Sequence, residues 1–433
     1  MDTRWRHAGV AALGLAAVAT LIATAPPAPG RVLGTTAVVR SVAVTDVVLG
    51  VGADEAERRL AWLSADPAAR CVEYADPAGS ARVVEAYDSG AAVVDGMTWF
   101  HAALPGLEAG TAYSYRVGNC AGAWAEPEDF AVPEEGPFSF LLLGDPQVFA
   151  SSGGTDPAAG WATTLERATS AVPDAAFLAT AGDHVNSTNL RGQVAEWDLL
   201  LRPPELRRYA VAPVIGNHDE ADGTGLLYGQ HLARPHEDRA GETVPGSGDY
   251  WFTHDSALFM SLNTNSPDIA AHEDFLRRAL AANPDTSWTI VLLHHAPYSA
   301  VVDADDDNVA RVRAGLTPIL SERGIDLVLG GHDHSYTRSL LMDGTGVVAG
   351  SEGPALTARE GQVLYITVNS ASGGKYYEPD PTLPWVAVAN QEEVPNWTHV
   401  RVGDRSITVT TRRTTDGSVV DRVVLREALT SLS

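Results

Sequence analysis

Five short apolar runs in this chain each end on residues that ligate metals. Phe138–Leu143 leads into Gly144-Asp145-Pro146-Gln147, and Ala176–Ala181 leads into Gly182-Asp183-His184. Ala212–Ile215 leads into Gly216-Asn217-His218-Asp219, and Thr289–Leu293 into His294-His295. Asp326–Leu329 leads into Gly330-Gly331-His332-Asp333-His334. Runs of this length, rich in Leu and β-branched residues, read as buried strands, and α/β folds present their reactive groups at the carboxyl ends of such strands. Six of the 13 histidines (184, 218, 294, 295, 332 and 334) fall in these motifs, so the chemistry is concentrated. One run would mean little. Five in order require a fold in which the strand ends converge on a shared metal centre.

The regions around the motifs set the architecture. From Thr35 to Pro133 the chain shows short strand-like runs with turn signals between them and no helical period: Val44–Leu49, Arg58–Ser64, Cys71–Tyr74 and Ala112–Val117. This predicts an all-β sandwich over 35–133, closed by the punctuation Pro133-Glu134-Glu135-Gly136-Pro137. Beyond it, over 137–428, strands alternate with helical segments at Asp156–Val172, Gln193–Leu201, His272–Ala282 and Asn308–Arg323. Strands then return without helices at Val363–Val368, Thr398–Val402, Ser406–Thr411 and Val419–Val424. The second domain is therefore expected to be α/β, with two packed mixed sheets flanked by helices.

Composition narrows the function. Thirty basic residues face 55 acidic ones, which argues against a nucleic-acid-binding surface. Arg4, Arg6 and His7 precede an uncharged Ala/Leu-rich stretch from Ala8 to Ala25, so residues 1–30 read as a secretory signal, with an uncleaved cell-surface anchor as the alternative. No second apolar stretch of that length follows. The expected location is secreted or extracytoplasmic. In such a compartment the only two cysteines, Cys71 and Cys120, are expected to form a disulfide. Neither lies near the metal motifs, which argues against a thiolate site.

Asp145, Asp183, Asn217, His294, His332 and His334 together offer carboxylates, an amide oxygen and imidazoles. This is the donor set of a dinuclear centre for phosphoryl transfer. In the order Asp-x-Gln, Gly-Asp, Gly-Asn-His-Asp, His, Gly-His-x-His, the chain resembles the calcineurin-like metallophosphoesterases, from Phe138 to Tyr336 and more weakly to about Leu425. The Leu107–Val117 segment, with Tyr336 and Arg338, is similar to the purple acid phosphatase branch with its fibronectin-III-like N-terminal domain. The resemblance implies hydrolysis of a small phosphate ester, mono- or diester, by a hydroxide activated between two divalent or mixed-valence ions. Asp183 would bridge them. Asp145 and His334 would hold the first ion, and Asn217, His294 and His332 the second. His218 would stabilise the transition state and protonate the leaving oxygen, with Asp219 orienting it. Between the adjacent histidines, counting from Trp288 and back from Tyr298 selects His294 as the ligand. His295 is left to face away or to contact substrate.

Two departures matter. Gln147 stands where many members have His, and Asn186 stands where purple acid phosphatases have the tyrosine that favours ferric iron. Gln147, Asn186 or a water would then act as a weak oxygen ligand, and iron, zinc and manganese all remain open. The departures also motivate an alternative, a non-catalytic extracellular binding protein with a degenerate metal site. His184 is placed either on the pocket wall or behind it. His101, His231, His236, His254, His272 and His399 read as surface or locally hydrogen-bonded residues. The acidic run Asp303–Asp307 lacks the features of a calcium loop and reads as solvated. Gly373-Gly374-Lys375 lacks the spacing of a nucleotide-phosphate loop but remains a candidate for the rim of the metal pocket. Nothing in the sequence sets the oligomeric state.

Overall fold

The computed structural model describes residues 42–150, 156–220, 223–238, 247–301 and 306–428. The segment read as a secretory signal, 1–30, lies outside these residues, as do 35–41 of the expected sandwich and most of the acidic run. Four of the five apolar runs form strands in two sheets, and the third, Ala212–Ile215, overlaps the short strand Ala210–Ala212 only at its first residue. Phe138–Leu143, Phe177–Thr180 and Ala210–Ala212 run parallel at the centre of an eleven-stranded sheet. Trp288–His295 and Leu327–Gly331 run parallel in a nine-stranded sheet, between Ala257–Leu262 and Gln362–Thr367. The C-terminal strands Asn396–Gly403, Ser406–Arg413 and Val419–Glu427 extend the first sheet antiparallel.

Aromatic side chains fill the space between the two sheets. Phe140 stacks on Phe177 at 4.8 Å and meets Phe259 edge-on at 5.4 Å, while Phe252 stacks on Phe259 at 4.8 Å. Such pairs add to the area they bury because ring edges and faces carry opposite partial charge. Helices cover the outer faces. Pro157–Ala171 and Leu190–Leu200 bury Trp161, Leu165 and Trp197 on the first sheet, and Ile269–Ala282 buries Phe275 and Leu276 on the second. This is the helix–sheet–sheet–helix layering expected for 137–428. The first helix starts as expected, with Pro157 at its first position and the Asp156 side chain accepting from Ala159 N at 3.2 Å. The helix expected over Asn308–Arg323 is interrupted. It runs as Asp307–Arg311, a π-helical turn Val312–Leu316, and Thr317–Glu322. Pro318 lacks the N–H that a continuous helix needs there.

The N-terminal region is strand-rich, and two sheets enclose Trp62, Phe100, Tyr74, Tyr113, Tyr115 and Phe130. Cys71 and Cys120 are joined in a disulfide across one of these sheets. The region is not a free-standing sandwich, however. Val44–Val51 pairs parallel with Ala210–Ala212 through Gly50 and Val211, so one of its sheets continues into the eleven-stranded sheet. A Cβ at Gly50 would lie 2.7 Å from the Ala233 carbonyl oxygen, so this junction needs glycine. Tyr115 Oη also donates to Arg207 O at 2.9 Å, and Arg207 pairs with Glu128 at 2.8 Å.

Candidate metal centre

The register of the strands places the motif residues side by side. Thr180 pairs with Leu143, so the Asp145 and Asp183 loops leave the sheet together. In the facing sheet Leu292 pairs with Leu329 but His295 pairs with Gly331, so the His strand carries one extra residue. A bulge of this kind re-aims a side chain, here next to His294. The loops that follow are strained. Nine described non-glycine residues have positive φ, and five of them are Asp145 (39°), Gln147 (33°), Asp183 (49°), His332 (74°) and His334 (46°). Left-handed backbone on such residues persists only where surrounding structure imposes it, and it concentrates at functional sites. Two glycines make the close approach possible. A Cβ on Gly216 would lie 2.2 Å from Asp183 Oδ1, and one on Gly331 would lie 2.6 Å from Asp145 Oδ2.

The donor atoms form two clusters that share Asp183. In the second cluster His294 Nε2 lies 3.0 Å from Asn217 Oδ1, 3.3 Å from Asp183 Oδ1 and 3.2 Å from His332 Nδ1. Atoms bonded at about 2.1 Å to one ion sit about 3.0 Å apart in octahedral and about 3.4 Å apart in tetrahedral coordination. The observed spacings match the edges of such a polyhedron. His294 Nδ1 meets the Ala181 carbonyl at 2.8 Å, which assigns its proton there and leaves Nε2 with a bare lone pair. In the first cluster ligand atoms of Asp145, Asp183 and His334 lie within 4.8 Å of one another. Gln147 Nε2 donates to Asp183 Oδ2 at 3.0 Å. Gln147 Oε1 and His334 Nδ1 are buried with no hydrogen-bond partner among the described residues. Burying unsatisfied acceptors is costly, and a cation with its water is what this donor set would serve.

Charge gives the same answer. Burial, reinforced by the Asp183 carboxylate, pushes Asp145 well above the ordinary carboxylate range. Burial acts on Asp183 too, but the imidazoles of His294 and His218 pull it below its usual value. Burial holds His332 down to about 4 and His334 to about 3, and it pushes His295 well down as well. Neutral imidazoles are metal ligands, and two adjacent buried carboxylates need a cation. The residues therefore fit two ions.

The residues around the clusters divide into pocket wall and support. Asp183, Asn217, His218, His332, His334 and Gln147 line an open cavity of about 450 Å³. His218 Nδ1 contacts the Asn186 carbonyl at 2.5 Å, and its Nε2 points into the site, 4.0 Å from Asp183 Oδ2. The expectation that Asp219 orients His218 is not met. Asp219 is fully buried and accepts from Gly216 N at 2.8 Å and from His184 N at 2.9 Å, with its Oδ2 2.9 Å from His184 Nδ1. It clamps the Gly216–Asp219 turn from behind, and the Asn186 backbone orients His218. His184 lies on that same inner side, bonded to Thr180 Oγ1 at 2.8 Å and stacked near Trp197, and it is not on the pocket wall. Asn186 contributes its backbone: its carbonyl faces His218 and its N–H donates to Glu196 at 2.7 Å. His295 packs against His294 and His332, with a ligand atom of each of the three within 4.8 Å of the others, while its ring nitrogens face Thr264 Oγ1 at 2.8 Å and Asn308 Nδ2 at 3.4 Å. Of the remaining histidines, His101, His231, His254 and His272 are buried. His254 sits edge-on to Phe138 at 4.5 Å, and His272 pairs with Asp249 at 2.6 Å.

Two packed sheets, with clustered carboxylate, amide and imidazole donors at the carboxyl ends of their strands, form a candidate metal centre. Residues 138–336 match the family model of the calcineurin-like phosphoesterases. The chain's fold is similar to that of the purple acid phosphatase PPD1 from yellow lupin (Lupinus luteus) seeds. The TM-score is 0.72 at 15% identity, over 90% of this chain and 75% of that one. It is more distantly similar to GAP50, the anchor in the inner membrane complex of Plasmodium, with a TM-score of 0.44 at 15% identity over 67% of this chain and 89% of that one. No curated protein matches the chain at the level of sequence.

Proposed function

We propose that this protein is a secreted metal-dependent phosphoesterase that hydrolyses phosphomonoesters or small phosphodiesters. The observation that carries the proposal is the pair of donor clusters sharing Asp183, with His218 Nε2 beside them in one open cavity. Asp145, Asp183 and His334, with Gln147 as a further oxygen donor, would hold one ion. Asp183, Asn217, His294 and His332 would hold the other. Two such ions supply charge that neutralises the phosphoryl oxygens and lowers the pKa of a water towards neutrality. The protein's own part is positional. The His332 N–H bonds to Asp145 Oδ1 at 2.9 Å and the His218 N–H to Asp183 Oδ1 at 2.9 Å, which fixes both carboxylates. With its Nδ1–H held by the Asn186 carbonyl, His218 presents Nε2 to the pocket, where as an imidazolium it would give its Nε2 proton to the leaving oxygen and be left neutral with the proton on Nδ1.

Reconstitution with zinc, manganese or iron, followed by assay on an aryl phosphate and a bis-aryl phosphate, tests the proposal. Two ions per chain and turnover of at least one ester are expected. One ion or none, with both esters inert under every metal, would establish a binding protein with a degenerate site instead. Export rests on the Arg4 and Arg6 start and the apolar stretch to Ala25. The mass of the mature N-terminus in culture medium tests it. The fibronectin-III-like character of the N-terminal strands is part of the same proposal and rests on their two-sheet packing.

A further inference from the structure

The chain contains a single lysine, Lys375, among 30 basic residues, and it stands at the metal pocket. Its loop is tied to Asp145 and His334, two residues of the first donor cluster. Ala371 N donates to Gly144 O at 2.7 Å and Ser370 Oγ to Asp145 O at 3.1 Å. Gly373 N donates back to Ser370 Oγ at 3.1 Å, so the Gly-Gly turn is closed on the Asp145 strand end. Two residues beyond Lys375, Tyr377 N donates to His334 O at 3.4 Å, and its ring meets the His334 ring edge-on at 5.2 Å. The loop thus runs from behind Asp145 to His334 and carries Lys375 along the pocket wall that also holds His218 and Asp183. Lys375 is half-buried and makes no hydrogen bond or ion pair among the described residues. Among the described residues one other charged side chain outside the metal clusters lines the wall, Asp306, whose Oδ1 accepts from Asn308 N and Val309 N as a helix cap.

In a protein with 55 acidic residues, an uncommitted ammonium beside a site for phosphate esters is a binding group for substrate. We propose that Lys375 binds a non-bridging phosphoryl oxygen and so selects dianionic phosphomonoesters over monoanionic diesters. This rests on the phosphoesterase reading above. A monoester above its second pKa of about 6 carries one more negative charge than a diester, so it gains more from a fixed cation. A hydrogen bond to a charged group contributes enough for a change of about 10-fold or more in binding.

The test uses the full metal-loaded protein and two variants, Lys375→Met and Lys375→Arg. For Lys375→Met, KM for an aryl phosphate should rise about 10-fold with kcat little changed, while kcat/KM for a bis-aryl phosphate stays near wild type. Lys375→Arg should retain most of the monoester preference. Because the chain has one lysine, reductive methylation followed by peptide mass mapping reports on it directly, and inorganic phosphate should slow its labelling in the wild-type protein. Equal losses on both esters, no loss on either, or labelling indifferent to phosphate would overturn the assignment. An unchanged KM for the aryl phosphate in Lys375→Met, with turnover intact, would sink this inference and leave the hydrolase standing. Phosphate protection of Lys375 without turnover of either ester would sink the hydrolase and leave the anion site.

Discussion

Replacing His218 by alanine should slow the reaction in a way that depends on the leaving group. The imidazole is held at Nδ1 by the Asn186 carbonyl at 2.5 Å and lies 22% exposed, with Nε2 facing the pocket, 4.0 Å from Asp183 Oδ2. Nothing in this arrangement makes it a metal ligand, so removing it should leave both ions bound. Losing a positioned general acid costs about 10²–10⁴-fold, or about 3–5 kcal/mol at 1.36 kcal/mol per decade. That cost applies in full when the leaving oxygen must be protonated. With an alkyl phosphate, whose alkoxide is a poor leaving group, kcat should fall by the whole amount. With an aryl phosphate whose phenol is acidic, the phenolate departs unaided and the loss should shrink to about 10-fold or less. The assay is steady-state kinetics on both substrates with metal content measured on the same samples. Equal losses on the two substrates would refute proton donation and leave His218 as an electrostatic group only. Loss of an ion would refute its placement outside the coordination sphere.

Asp219→Ala should act on stability, costing about 3–5 kcal/mol, because it strips a buried carboxylate from Gly216 N, His184 N and His184 Nδ1. A denaturant midpoint within 1 kcal/mol of wild type would argue that the turn is held some other way. Gly331→Ala places a Cβ 2.6 Å from Asp145 Oδ2 and 2.7 Å from Ala181 O, so it should fold with normal circular dichroism yet lose the first ion; full metal content would contradict it. Asp183→Ala should lose both ions at once, and retention of either by metal analysis would argue against its shared position. Burial holds the His254 imidazole down to about 4, against 6.5 when unfolded. The unfolded chain therefore takes up the proton first as pH falls. Stability present above pH 6.5 drains away towards pH 4, by up to about 3 kcal/mol. His254→Phe should flatten the pH dependence of the denaturant midpoint across that window, and an unchanged slope would contradict it.

The strands and their site-bearing ends were legible because they combine a short apolar period with chemistry that has few other uses. What escaped was set by contacts distant in sequence or by local backbone detail. Asp219 is next to His218 in the chain, yet the turn at Gly216 points its carboxylate inward to His184. The pairing of Gly50 with Val211 merges the N-terminal strands with the catalytic sheet, and no local pattern announces a pairing over that separation. The second helix begins at Leu190 rather than Gln193 because Asn189 caps it, bonding Gly192 N at 2.9 Å from within a polar run that reads as loop. His254 reads in the sequence as a surface or locally hydrogen-bonded residue, but its ring packs edge-on against Phe138 and Phe177. Adjacent histidines on a strand look equivalent in sequence, and the extra residue between Leu292 and His295 separates them in space.

Anomalous diffraction from crystals of the metal-loaded protein would examine the central claim at its source. Two peaks about 3.5–4 Å apart are predicted. One should be enclosed by Asp145, Asp183 and His334, the other by Asp183, Asn217, His294 and His332. A single peak, or peaks that do not share Asp183, would contradict the account.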